Sequence, residues 1–180
     1  MKNRLFIGFD LSEPLKKRIS NLIKSLKNKW PDLKYVKKEN LHLTLIFLGQ
    51  ISDQDLWQTI ETIQAVSRDF YPLSIESRGV ELFPTLKKPK IISLSIKEKS
   101  KLNELKRKIN DQLAFLNIAR RENRIFRPHI TLARIKKNNN KPDLKNTFLN
   151  FEERFNKIDI FESRLTKQGL VYNIIQSIKL

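Results

Sequence analysis

Two stretches about half a chain apart carry one pattern: LHLTLIF at residues 41–47 and PHITLA at 128–133. Side chains on a strand alternate between its faces with period two. In the first stretch Leu41, Leu43, Leu45 and Phe47 fall on one wholly apolar face, and His42 and Thr44 on the other. In the second, Ile130 and Leu132 take the apolar side, and His129 and Thr131 point away from it. Two such strands require a sheet with a core behind it and an open face in front. Each would present an imidazole and a hydroxyl roughly 7 Å apart along the strand. Brought together, they would surround one cleft. His42 and His129 are the two histidines of the chain, and each precedes a threonine by two residues.

The rest of the pattern says what carries these strands. RLFIGF at 4–9 reads as an opening strand. Ser12 is placed to cap a helix and Pro14 to start it, and Leu15, Ile19, Leu22, Ile23 and Leu26 then recur at helical spacing up to Trp30-Pro31. Gly49 is expected to close the first histidine strand. Ser52 then opens a second helix, with Leu56, Ile60 and Ile63 on one face. Residues 72–83 and 90–96 read as extended. A third helix is expected over 101–116, with Leu102, Leu105, Ile109, Leu113 and Leu116 in phase. The second histidine strand runs from about 128 to 135, and KKNNNKP at 136–142 is a polar loop. Two closing strands join near Lys167-Gln168-Gly169.

Paired extended segments and a late hairpin argue against a doubly wound parallel sheet and for an α+β fold with mainly antiparallel sheet. A helix followed by a histidine strand occurs twice, which suggests internal duplication. No composition shift marks a boundary, so residues 1–180 read as one domain of two lobes.

The chain has no cysteine, which excludes disulfides, thiolate catalysis and cysteine–zinc sites. Lys and Arg number 36 against 19 Asp and Glu, a net charge of +17 that favours polyanionic partners, chiefly nucleic acid. The apolar stretch near the N-terminus is too short for a signal peptide, and no run approaches a membrane span. A soluble, cytoplasmic protein is expected, with no membrane partner.

Two imidazoles suit concerted proton transfer. Near neutral pH one can be neutral and take a proton from a nucleophile while the other, protonated, gives one to a leaving oxygen. Zinc sites usually need three or four protein ligands, and neither motif carries a carboxylate to complete a set, so no metal or other cofactor is expected. Hydroxyls and guanidinium groups bind anionic oxygens. Thr44 and Thr131 are therefore candidates for substrate contact, together with Arg127 and Arg134. By parity Arg134 faces away from His129, and it reaches the cleft only if the strand ends or bulges there.

HLTL at 42–45 and HITL at 129–132 resemble the paired H-x-T-x signatures of the two-histidine phosphoesterase superfamily. FRPHITLAR at 126–134, ESRLTKQGLVY at 162–172, LIFLG and GVELFP resemble the RNA 2′,3′-cyclic phosphodiesterases, also called 2′-5′ RNA ligases. The resemblance runs the length of the chain. One departure is KIISLSI at 90–96, where the family often carries a tryptophan. The resemblance implies a bilobal α+β fold with pseudo-twofold symmetry, flanking helices and a central cleft. It implies metal-independent opening of an RNA terminal 2′,3′-cyclic phosphate to a 2′-phosphate. His129 would be the proton acceptor acting on water and His42 the proton donor to the 3′-oxygen. Thr44, Thr131 and Arg134 would hold the phosphate. Phe47 would stack a nucleobase, although parity puts it on the core face. The implied partners are RNA ends with a cyclic phosphate, tRNA fragments among them, met by a monomer with no obligate protein partner. The alternatives are reversible 2′-5′ joining of RNA halves and a non-catalytic RNA-binding module.

Overall fold

The structure, a computed structural model, describes residues 3–97, 100–122, 125–136, 141–167 and 169–180. Strand β1 (Asn3–Asp10) leads into helix α1 (Glu13–Lys29). The short strand β2 (Lys34–Tyr35) and a 3-10 turn (Lys38–Asn40) precede β3 (His42–Ile51). Helix α2 (Asp53–Ser67), strands β4 (Leu73–Phe83) and β5 (Ile91–Ile96), helix α3 (Ser100–Phe115) and β6 (His129–Arg134) follow. The chain closes with β7 (Glu152–Phe155), β8 (Lys157–Thr166) and β9 (Gly169–Lys179).

Local chemistry explains the helix starts. The Ser12 hydroxyl accepts from the Leu15 N–H, with proline in the first turn of α1. Ser52 and Asp55 form a reciprocal capping box at the start of α2. Leu15, Ile19, Ile23 and Leu26 of α1 are buried, as are Leu102, Leu105, Ile109 and Leu113 of α3. Leu116 lies one residue past the end of α3 and is exposed. Leu56 and Ile60 of α2 only flank the core that buries Ile63. Each fully buried aliphatic side chain contributes about 1.5–3 kcal/mol.

The sheet runs β7-β4-β5-β6-β3-β1-β8-β9, with β2 paired to β6, and every pairing is antiparallel. Along this order it divides at its centre into two runs of four strands joined at the pair Leu43–Ile130, with β2 added to β6 as the ninth strand. In each half a strand, a helix and then a histidine strand follow in order: β1-α1-β3 and β5-α3-β6. That repetition is the pseudo-twofold, bilobal α+β architecture expected from the sequence. The apolar faces of β3 and β6 join the helices in one core, and their histidine faces are left to the cleft.

Three expectations need correction. Gly49 does not end β3. It sits at a register shift with φ +76, and the strand continues to Ile51. The two-residue β2 and four-residue β7 carry no periodic signal and were not foreseen. The third correction concerns bulges. The β1–β3 register passes from Thr44 to Ile46 and leaves Leu45 as an extra residue. The β5–β6 register likewise passes from Thr131 to Ala133 and leaves Leu132 extra. Both histidine strands therefore bulge three residues after the histidine, and strict alternation fails beyond that point. The turn between β8 and β9 and most of the 136–142 loop involve Gln168 and residues 137–140, which lie outside the described residues. Among the described residues no helix is long and apolar enough to cross a membrane.

Gly8 is where β1 needs to lack a side chain. A Cβ there would stand 2.5 Å from the Leu43 carbonyl oxygen, between His42 and Thr44. Gly8→Ala therefore forces β3 away from β1. Overpacking of this kind costs about 1–3 kcal/mol, which at ~2–4 °C per kcal/mol for a chain of this size lowers the thermal midpoint in a calorimetric scan by roughly 2–12 °C.

Candidate active site

The antiparallel pair Leu43–Ile130 sets the register of the two motifs. It puts His42 across from Thr131 and Thr44 across from His129, so the imidazoles are diagonal neighbours, about 7–8 Å apart at Cα. His42, Thr44, His129, Thr131 and Arg134 line one cleft of about 810 Å³.

Each imidazole is fixed in the same way. His42 Nδ1–H donates to the Asn40 carbonyl at 2.7 Å, and His129 Nδ1–H donates to the Arg127 carbonyl at 2.8 Å. The acceptor lies two residues before the histidine in both strands. Because a carbonyl only accepts, Nδ1 carries the proton, and Nε2 of each neutral ring is the basic atom. The Thr44 hydroxyl, 2.9 Å from His42 Nε2, donates to it while the ring is neutral and accepts once the ring is protonated. Aromatic packing holds the rings. The centroid of His42 lies 4.8 Å from Phe6 and 5.0 Å, edge-on, from Tyr172. His129 stacks on Phe83 at 4.4 Å.

Burial pushes the pKa of both imidazoles below the usual value. For His42 the Asn40 carbonyl and the Asp10 carboxylate oppose that shift, while His129 and Arg134 add to it. For His129 the Arg127 carbonyl and Glu81 oppose it, and the Arg127 charge adds to it.

The bulges decide two of the candidates. Leu45 and Ile46 are both buried, so the next residue, Phe47, turns out of the core and stands 77% exposed. The parity assignment of Phe47 to the core face is thus overturned. Leu132 and Ala133 are both buried in the same way, and Arg134 turns to the open side beside His42 and Thr131. Phe47 and Arg134 are each five residues past their histidine, so they occupy equivalent positions in the two lobes. Arg127 is differently engaged. Its guanidinium donates to the Pro84 carbonyl at 2.7 Å, meets Glu81 at 3.1 Å and covers the Phe83 ring. Ser93, in the segment that lacks tryptophan, stands across from Thr131 and is fully enclosed.

Sequence reasoning missed Asn40. Its buried amide donates to the Leu170 carbonyl at 2.8 Å and accepts from the Tyr172 N–H at 3.1 Å, which ties β9 to the carbonyl that orients His42. Its one sequence signal is a position two residues before a histidine, which it shares with Arg127. Phe6 was read only as part of the opening strand and Tyr172 only as the end of ESRLTKQGLVY, because their contacts with His42 cross between strands. Among the described residues no group of three or more His, Cys, Asp or Glu is arranged to hold a metal ion.

Two outcomes follow. Asn40→Ala leaves a carbonyl and an N–H of β9 unpaired and costs about 1–3 kcal/mol in urea unfolding. The second concerns pH. The native state holds both histidines less basic than the unfolded chain does, so the unfolded state binds protons first as pH falls. The stability they contribute is whole above pH ~6.5 and is lost as pH drops through their folded values. The urea midpoint falls from pH 7 to pH 5, and the chain carrying His42→Gln and His129→Gln loses part of that dependence.

The family model of the LigT-like phosphoesterases matches this chain twice in succession, over residues 9–93 and 94–172. Each match contains one histidine motif, as the repeated lobes require. A protein of Aquifex aeolicus named RNA 2′,3′-cyclic phosphodiesterase is 30% identical over 179 residues, covering 96% of this chain and 95% of its own. One of the same name from Archaeoglobus fulgidus is 28% identical over 175 residues, covering 94% and 96%. Among solved structures, TT0787 of Thermus thermophilus superposes with a TM-score of 0.85 at 22% identity, covering 98% of this chain and 97% of that one. E. coli LigT complexed with 3′-AMP gives 0.79 at 22% identity, covering 100% and 99%. With both lobes matched in order and the two H-x-T-x strands facing one cleft, the chain is an enzyme of the LigT-like phosphoesterase family, within the two-histidine phosphoesterase superfamily.

Proposed function

We propose that residues 1–180 act as one two-lobed phosphoesterase domain that opens the 2′,3′-cyclic phosphate at an RNA 3′ end to a 2′-phosphomonoester. The observation that carries this reading is the matched pair of histidines. Each is tied through Nδ1 to a carbonyl two residues before it, and each has a threonine on its own strand and another across the ladder. Relatives that match nearly the whole chain bear the name of that activity, and the charge of +17 suits an RNA substrate.

The steps balance with two imidazoles. His129 Nε2 takes a proton from water as the water oxygen attacks phosphorus. The bond from phosphorus to O3′ breaks, and protonated His42 gives its Nε2 proton to O3′. The products are a 2′-phosphate and a 3′-hydroxyl. His129 ends protonated and His42 neutral, and exchange with solvent resets both. In-line displacement needs the entering and leaving oxygens on opposite sides of phosphorus, which suits acid and base held diagonally on two neighbouring strands. Thr44 and Thr131 donate to the non-bridging oxygens, and Arg134 offsets the charge that builds on them. Phe47 stacks the terminal base. Arg127 acts through its carbonyl, which holds the His129 ring, while its guanidinium is anchored on Glu81. The acid and base roles are assigned by resemblance to the family, since the histidines have near-equivalent surroundings.

A short RNA ending in a 2′,3′-cyclic phosphate tests this with a chelator present. The expected product is a 2′-phosphate, identified chromatographically, and either His42→Ala or His129→Ala lowers kcat by about 10²–10⁴-fold. A 3′-phosphate product, or full turnover in both variants, overturns the assignment.

A further inference from the structure

The cleft does not end at the histidines. Beyond His129 it opens into a groove of about 1460 Å³, bounded by the outer half of β3, the C-terminal end of α3 and the segment after it. Thr44, Phe47, Gly49 and His129 line both the groove and the catalytic cleft, so the two are continuous. A pocket for one drug-sized ligand measures ~300–1000 Å³. The catalytic cleft alone is of that size, and the groove exceeds it.

Large apolar side chains stand in water along this groove: Phe47 is 77% exposed, Phe115 87% and Ile125 90%. Phe115 is the last residue of α3, outside the face that buries Leu105, Ile109 and Leu113, so the core does not require it. Arg120 and Arg121 also line the groove, with Asp111 and Glu122 beside them. Arg121 meets Asp111 at 3.4 Å in a largely exposed pair. Such a pair is held weakly and exchanges readily for a phosphate. Exposed rings in a channel edged by arginine are the means by which proteins hold single-stranded nucleic acid, with bases stacking on the rings and the backbone following the cations.

We propose that this groove holds the RNA strand upstream of the terminal cyclic phosphate. Phe115 stacks a base that precedes the end, and Arg120 and Arg121 follow the backbone. This rests on reading the cleft as a site for RNA ends, and it names the substrate class as oligonucleotide ends in preference to cyclic mononucleotides.

The test uses 5′-fluorescent RNAs of two to six nucleotides ending in a 2′,3′-cyclic phosphate. Their binding is measured to the chain carrying His129→Ala, which keeps the ends intact. Affinity is expected to rise about tenfold or more with length. Adding Phe115→Ala and Arg121→Ala removes most of that rise. Phe115→Tyr with Arg121 intact preserves the rise. In the otherwise native chain the same alanine pair leaves kcat/KM for a cyclic mononucleotide unchanged. No rise with length, a rise that survives both alanines, or an equal gain from an unlinked oligonucleotide added beside a cyclic mononucleotide overturns the proposal. Failure of the native chain to open cyclic phosphates, with length-dependent binding and its loss intact, refutes the hydrolytic reading and supports the groove.

Discussion

The pair Leu43–Ile130 is the contact on which the site depends. It joins the two runs of strands at the centre of the sheet, and it does so between apolar side chains facing the core. Because strand side chains alternate, burying these two residues forces their neighbours onto the other face, and those neighbours are His42, Thr44, His129 and Thr131. Antiparallel pairing then crosses the motifs, with each histidine opposite the other strand's threonine. A slip of one residue would send the imidazoles into the core. Gly8 guards the same register from the side, since β1 passes against the Leu43 carbonyl with no room for a methyl group.

Around this join the lobes repeat their devices. Both histidines are oriented by a carbonyl two residues earlier, both pack on aromatic rings, and both strands bulge at the same distance past the histidine. Repetition makes two similar bases. Asymmetry comes from what stands five residues on: an arginine in one lobe and a phenylalanine in the other. One side of the cleft carries a guanidinium and the other an exposed ring, so the two lobes differ in what they present around one shared cleft.

Desolvation connects this arrangement to its chemistry. Enclosing two imidazoles disfavours their charged forms, and the nearby carboxylates of Asp10 and Glu81 only partly offset that. The protein holds these rings less basic than they would be in water, at some cost to folding at low pH. An anion placed between them would supply the missing counter-charge and favour protonating one of them.

Much of this was legible in the sequence for local reasons. Helix caps, helical spacing and period-two strands arise from contacts between residues close in the chain, so α1, α2, α3 and most long strands could be read directly, as could both histidine motifs with their threonines. The apolar residues of the motifs were enough to require one buried and one open face. Only the tertiary structure decided where that alternation breaks. The bulges at Leu45 and Leu132 form because neighbouring strands impose a register, and no residue type in either motif announces them. They moved Phe47 out of the core and turned Arg134 to the cleft. Tertiary structure likewise brought Asn40, Phe6 and Tyr172 to His42 and diverted the Arg127 side chain to Glu81, because those contacts join segments far apart in the chain. The sequence determined which polar groups share the open face of each strand, because their spacing is covalent. Folding determined which groups surround them, because that depends on how strands pair.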